Sequence, residues 1–189
     1  CVEAYPEITE QYHDARVTYM NDGIALEIQQ MAEETGLPID ETTLEPLVYK
    51  TYLDALSRKG LEVFRARGEL ARVGREMGRF FQNYDLLLSP TCGRIGRPLG
   101  TLNGVANREI SASEWARRRR EYACITPLAN VAGLPSISLP LYMSDSGLPI
   151  GIEIDGAIDQ DELVLQLSAQ LERVVPWSGR KPPIYASEI

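Results

Sequence analysis

The chain has 189 residues, 44% hydrophobic and 24% charged, with a formal net charge of −8. That balance excludes a disordered polymer, and the acidic excess argues against a nucleic-acid partner, whose phosphates such a surface repels. No apolar run approaches the ~18 residues needed to cross a bilayer, no secretory signal opens the sequence, and the three cysteines (Cys1, Cys92, Cys124) are widely spaced with no CxxC pattern. The expectation is a single globular unit in a reducing cytoplasm, without membrane association, disulfide framework or metal site.

In chain order, Cys1–Tyr5 reads as the remnant of a strand, ended by Pro6, and the expectation is a chain that starts inside a structured element. From Glu7 to Thr35, apolar residues recur at helical spacing (Val17, Met20, Ile24, Ala25, Ile28, Met31, Ala32), with Gly36 as the left-handed stop and Pro38 behind it. Asp40–Thr43 offers caps for a second helix through Leu47, Tyr52 and Leu56, with Pro46 in its first turn. A third helix is expected from Leu61 to Gln82, its apolar stripe formed by Val63, Phe64, Leu70, Val73, Met77, Phe80 and Phe81.

Asp85–Ser89 is a continuous apolar run of the kind buried on both faces of a sheet. Pro90–Asn107 lacks periodicity and reads as a long ordered loop. Ser113–Tyr122 is expected to be helical; its four consecutive arginines, Arg117–Arg120, point all round the helix, solvated or paired with acids, with room for one to face an anion. Ser136–Leu141 and Ile150–Ile154 read as strands joined by a turn at Ser144–Gly147. A last helix is expected from an Asp159 cap with Glu162 completing a capping box, and with Leu163, Val164, Leu167, Leu171 and Val174 on its buried side. Strands mixed with long helices make an α/β protein in one structural unit.

Catalytic chemistry is scarce. His13 is the sole histidine, so any imidazole-dependent nucleophile would have to use it; set between Tyr12 and Asp14, it reads as a solvated surface residue. The only lysines are Lys50, Lys59 and Lys181, and the HExxH, phosphate-loop and GxGxxG patterns are absent.

The blocks Tyr84–Thr91 (YDLLLSPT), Thr126–Leu141 (TPLANVAGLPSISLPL), Gly147–Gly151 (GLPIG), Asp161–Leu171 (DELVLQLSAQL), Pro176–Trp177 and Arg180–Pro183 (RKPP) resemble, in order and spacing, the C-terminal end of the amidase signature family. Val2–Pro6 and Ile24–Ile28 look most like its nylon-oligomer cyclic-dimer hydrolase branch. The resemblance implies an α/β fold, the C-terminal part of the amidase signature fold, with a mixed central sheet flanked by helices. Residues 1–189 would be the C-terminal half of such a domain, the N-terminal catalytic half being absent from the chain.

Such enzymes cleave carboxamides with a serine, a second serine held by a cis peptide, and a neutral lysine, using neither metal nor cofactor. All three groups come from the family's N-terminal half. No Gly/Ser-rich stretch of that kind occurs here, and none of the three lysines matches the catalytic position. The resemblance therefore implies no catalytic residue in this chain, which alone should be inactive. Its partners would be a small-molecule amide substrate and the N-terminal half of the same polypeptide. Apolar faces left bare without that half would favour a homodimer or aggregation.

Mapped from the family's pocket wall, Thr18, Met20 and Asn21 on the first helix, Cys92 after the YDLLLSPT strand, and Cys124 and Thr126 before the NVAGLP turn are the substrate-binding candidates. Each has an equally good packing reading: Met20, Cys92 and Cys124 as apolar filling, Thr126 as a backbone clamp. In the tRNA-dependent amidotransferase branch an acid holding the substrate's amino group falls near position 123. Ala123 stands there and points away from that branch, toward a neutral or apolar acyl group. A stand-alone binding or scaffold module, or an amidotransferase subunit, are the alternatives.

Overall fold

The computed structural model describes residues 1–182 and 184–185; of the RKPP block, Pro183 lies outside the described residues. Six helices and three strands follow one another as α1 (Gln11–Thr35), α2 (Pro46–Leu56), α3 (Gly60–Phe80), β1 (Leu86–Pro90), α4 (Ala112–Arg120), α5 (Pro127–Ala132), β2 (Ser136–Met143), β3 (Pro149–Gly156) and α6 (Asp161–Val174).

Cys1–Tyr5 is not a strand but an irregular segment, mostly exposed, that finds no strand partner among the described residues. α1 ends as expected: Gly36 adopts φ 70° and donates its N–H to the Ala32 carbonyl at 2.8 Å. The start of α2 differs from expectation. Asp40 accepts from the Thr42 N–H at 2.8 Å and closes its own turn, so it caps nothing. The helix begins instead at Pro46, with Glu45 held extended (ψ 142°) as a residue before proline must be.

α1 packs against α2 and α3, and α3 against α5. The main core joins Tyr12 of α1, Val73 and Met77 of α3, and Leu128 of α5, with Leu87 of β1 packed against it. Ala25, Tyr52 and Ala55 form a second cluster between α1 and α2. Arg58, just past α2, ties the same pair together by reaching Asp22 at 2.5 Å. The apolar stripes are narrower than the periodicity implies: Met31 (62% exposed) and Phe64 (71% exposed) face outward.

The sheet has the order β1-β3-β2 and both pairings are antiparallel, so this part of the fold contributes a small antiparallel sheet rather than a mixed one. β1 is an edge within it, with Leu88 exposed, and is not buried on both faces. Pro140 lies where β2 shifts register between Leu139 and Tyr142, since proline has no N–H for the ladder. One face of the sheet packs on α6, where a Cβ at Gly156 would meet Val164 Cγ2 at 2.8 Å.

The opposite face is polar. Ser89, Glu153 and Ser138 are register partners across the three strands, and Leu87, Asp155 and Ser136 form the next row. At α6, Asp159 takes a left-handed φ of 65° in the preceding turn instead of capping, and the helix starts two residues later with Gln160 as its N-cap. Val164 and Ser168 are its buried residues, while Val174 is exposed.

α4 begins one residue before the expected start. The Ser111 hydroxyl accepts from the Glu114 N–H at 3.1 Å, a capping arrangement written in the spacing Ser111-x-x-Glu114. α5 occupies what reads in sequence as the NVAGLP turn, with Pro127 in its first turn and Gly133 (φ 67°) at its end. Short as it is, α5 places Leu128 in the core.

Candidate functional site

α4 packs on α2, and a cleft of about 180 Å³ separates it from the first half of α1. Helical spacing builds both walls: Arg16, Val17, Met20 and Asn21 come from successive turns of α1, Ala116 and Arg119 from α4. Tyr122 and Ala123, just past α4, close one end, and Leu102 of the long loop covers another side. The lining is largely apolar with a few convergent polar groups, the composition of a small-molecule site.

Met20 and Asn21, two of the candidates, meet in this cleft. Met20 is partly exposed and Asn21 is buried. Thr18 lines the adjoining cleft with His13, Ser113, Arg117 and Arg120, and Val17 and Ala116 are shared by the two. Cys124 lines a third cleft, of about 340 Å³, beneath β1 and the segment 4–10, together with Tyr12, His13 and Ser89. Cys92 is exposed, and neither it nor Thr126 lines any of these three clefts.

Thr126 acts as a clamp: its hydroxyl donates to the Thr91 carbonyl at 2.6 Å and holds the entry to α5 against the exit of β1. Cys124 packs against the same exit, since a Cβ at Gly93 would stand 2.7 Å from its Sγ. The Gly93 N–H donates to the Tyr122 carbonyl at 2.9 Å, linking this junction to the α1–α4 cleft.

His13 departs from its solvated reading. It is half-buried, and its Nδ1 is enclosed without a hydrogen-bond partner. Burial lowers its pKa, Arg120 and Arg16 lower it further, and Glu10 and Asp14 pull the other way. Tyr12, stacked obliquely on His13 at 5.1 Å, has a hydroxyl that is also buried and unpartnered, and burial pushes it up to about 12. Neither group meets a hydroxyl or thiol in a hydrogen bond, so no activated nucleophile is assembled around them. Among the described residues, no three His, Cys, Asp or Glu side chains converge to hold a metal ion, and no helix is long and apolar enough to cross a membrane.

A second polar cluster lies on the sheet face opposite α6. Glu153 and Asp155, 2% and 1% exposed, are neighbours on β3, and each keeps one carboxylate oxygen without a partner. Ser136 donates to Glu153 Oε1 at 3.1 Å. Burial raises both carboxyl pKa values, and Asp155 raises Glu153 further. Sequence reasoning passed over this pair, although acids two apart in an otherwise apolar strand must share a face. It also passed over Arg16, Arg119 and Tyr122 as cleft residues, though Arg16 is four residues from Met20 on a helix.

A family model described as Amidase matches residues 13–165. The chain is 31% identical over 188 residues to the 6-aminohexanoate-cyclic-dimer hydrolase of Pseudomonas sp. (strain NK87), covering 96% of this chain and 38% of that protein. To the enzyme of the same name from Paenarthrobacter ureafaciens it is 30% identical, again over 96% of this chain and 38% of the relative. The solved structure of a 6-aminohexanoate cyclic dimer hydrolase superposes with a TM-score of 0.81 at 30% identity, covering 96% of this chain and 39% of that one, and a structure of such an enzyme with its substrate matches equally. A bacterial aryl acylamidase of the amidase signature group, 24% identical over 96% of this chain and 39% of its own, shares the fold with a TM-score of 0.71. The chain thus spans less than two-fifths of the length of these relatives. With the blocks in order from the first helix to the last, it belongs to the amidase signature family.

Proposed function

We propose that these residues form the substrate-facing C-terminal part of an enzyme that hydrolyses a linear or cyclic carboxamide. The serine nucleophile, the bridging serine and the lysine base belong to a portion of the polypeptide beyond these 189 residues. The observation that carries this reading is the α1–α4 cleft: an apolar slot, with Met20 and Asn21 in its wall, in a chain of amidase lineage. A buried amide side chain such as Asn21 can orient a substrate amide by donating and accepting at once.

The division of labour follows from what is lacking. Attack on an amide needs an activated nucleophile and donors for the oxyanion, and among the described residues no hydroxyl or thiol hydrogen-bonds to His13, Lys50 or Lys59. The chain's share is therefore positioning, in which a displacement of the substrate by about 1 Å can cost roughly a hundredfold in rate. The 6-aminohexanoate-cyclic-dimer hydrolases favour a cyclic or linear aliphatic amide as the substrate class.

The experiment is amine release from aliphatic carboxamides by the polypeptide that carries these residues together with the family's N-terminal half. Asn21→Leu is expected to raise KM about tenfold or more, the loss of one or two substrate hydrogen bonds, while leaving the fold intact by circular dichroism. Unchanged kinetics in Asn21→Leu, or no hydrolysis of any amide, would overturn the reading.

A further inference from the structure

The four arginines of α4 do not behave alike. Arg117 and Arg118 are taken up by Glu114, at 2.7 and 2.8 Å, and hold its carboxyl down at about 2. Arg117 also reaches Glu121, which collects Arg94 and Arg97 as well. Arg119 and Arg120 face α1, and there they meet a third guanidinium, that of Arg16, and the imidazole of His13.

Among the described residues, Arg16, Arg119 and Arg120 have no carboxylate within ion-pairing distance. Among the described residues, the Arg16 guanidinium makes a hydrogen-bond contact only with Met20 Sδ, at 3.7 Å, and its Nε is enclosed without a partner. Beside it in the cleft the Tyr122 hydroxyl is also enclosed and unpartnered. Arg67 of α3 joins Arg16 and Arg119 around the next cleft along. Glu10 and Asp14 are near His13 but are exposed.

This arrangement is costly and composition does not force it. Acids outnumber Lys and Arg by 27 to 19 in the sequence, yet here like charges face one another and a guanidinium is partly desolvated. Burial and the neighbouring arginines accordingly lower the Arg16 pKa. Clustered guanidiniums with spare donors, a free hydroxyl and an apolar wall are what an anion with a hydrocarbon tail requires.

We propose that the α1–α4 cleft is a carboxylate-recognition site, in which Arg16 and Arg119 hold the carboxylate of a small amide substrate or product. Its carbon chain lies along Val17, Met20 and Leu102. Tyr122 supplies a further donor, and Arg120 strengthens the local positive field. The assignment of substrate or product rests on the amidase reading. A carboxylate-bearing amide would be anchored by its acid end, in place of the neutral or apolar acyl group that Ala123 implies through the family resemblance.

The test is calorimetric titration of the purified protein with hexanoate and with hexanamide, its neutral counterpart. Hexanoate is expected to bind and to weaken as salt rises, and hexanamide to bind at least tenfold more weakly. Arg16→Gln and Arg119→Gln should each weaken hexanoate about ten- to a hundredfold, the loss of a charge-assisted hydrogen bond, while Arg119→Lys retains part of the affinity. Ala123→Asp, which sets a carboxylate at the cleft end, should abolish hexanoate binding without unfolding the protein. Equal affinity for hexanoate and hexanamide, no binding of hexanoate, or unchanged binding in both glutamine variants would overturn the proposal. Hexanoate binding without hydrolysis of any amide would retain the site and remove only the amidase reading. Amide hydrolysis indifferent to a substrate carboxylate, with no hexanoate binding, would do the reverse.

Discussion

The hydroxyl of Thr126 donates to the backbone carbonyl of Thr91 at 2.6 Å, joining two segments 35 residues apart. The bond fixes the first turn of α5 against the loop leaving β1, and so sets where Cys124 and Tyr122 fall beside the clefts. Thr126→Val keeps the shape and removes the donor. It should destabilise by about 1 kcal/mol, the usual net value of such a bond, read as a lower midpoint in urea unfolding. An unchanged midpoint would show that Thr126 is not the clamp.

Gly93 meets the same junction from the other side. A Cβ there would lie 2.6 Å from the Glu121 carbonyl oxygen and 2.7 Å from Cys124 Sγ. The thiol can turn aside but the backbone oxygen cannot, so Gly93→Ala must shift the loop. A cost of about 1–3 kcal/mol is expected, as for other overpacked sites, and thermal unfolding would measure it.

Arg58 bridges α1 and α2 through Asp22, both side chains being largely buried, at 14% and 19% exposure. Arg58→Met would leave Asp22 without its counter-charge in that setting. Losing one partner of a half-buried pair should cost about 1–3 kcal/mol. The double variant Arg58→Met/Asp22→Leu should recover part of the loss, and denaturant midpoints for the cycle decide it.

Glu153 and Asp155 make stability depend on pH. Burial raises both pKa values above those of the unfolded chain, so the folded state holds its protons more tightly. Their favourable contribution is therefore fully present below the unfolded carboxyl values and is lost as pH rises through the elevated folded ones. Glu153→Gln and Asp155→Asn should raise stability at pH 7, change it little at pH 3.5, and flatten the decline between them. Urea midpoints across that range test the sign; variants less stable at pH 7 than the parent would contradict it.

Much of the fold was legible because several signals were local. Gly36 stops α1, Pro46 opens α2, and the apolar runs of β1, β2 and β3 sit where they read. The errors came from side chains with two local uses. Asp40 and Asp159 both look like caps, but one closes an Asx turn and the other takes a left-handed turn position. The width of the buried stripes was misread because periodicity marks a face without showing whether a neighbour covers it. Phe64 and Met31 lie on such uncovered positions.

The site divided in the same way. Met20 and Asn21 were reachable through the family resemblance, whereas the pairing of Arg16 with Arg119 is a tertiary fact, 103 positions apart in sequence. His13 reads as solvated between Tyr12 and Asp14 because the sequence does not show that Tyr12 is buried or that Arg120, 107 positions on, lies nearby.

The most direct measurement is amine release from the 6-aminohexanoate cyclic dimer and from a linear aliphatic amide, with the 189-residue chain alone and with the polypeptide that also carries the family's N-terminal half. No turnover by the chain alone and clear turnover by the longer polypeptide is the predicted result. Serine-dependent hydrolysis by the 189 residues on their own would contradict it.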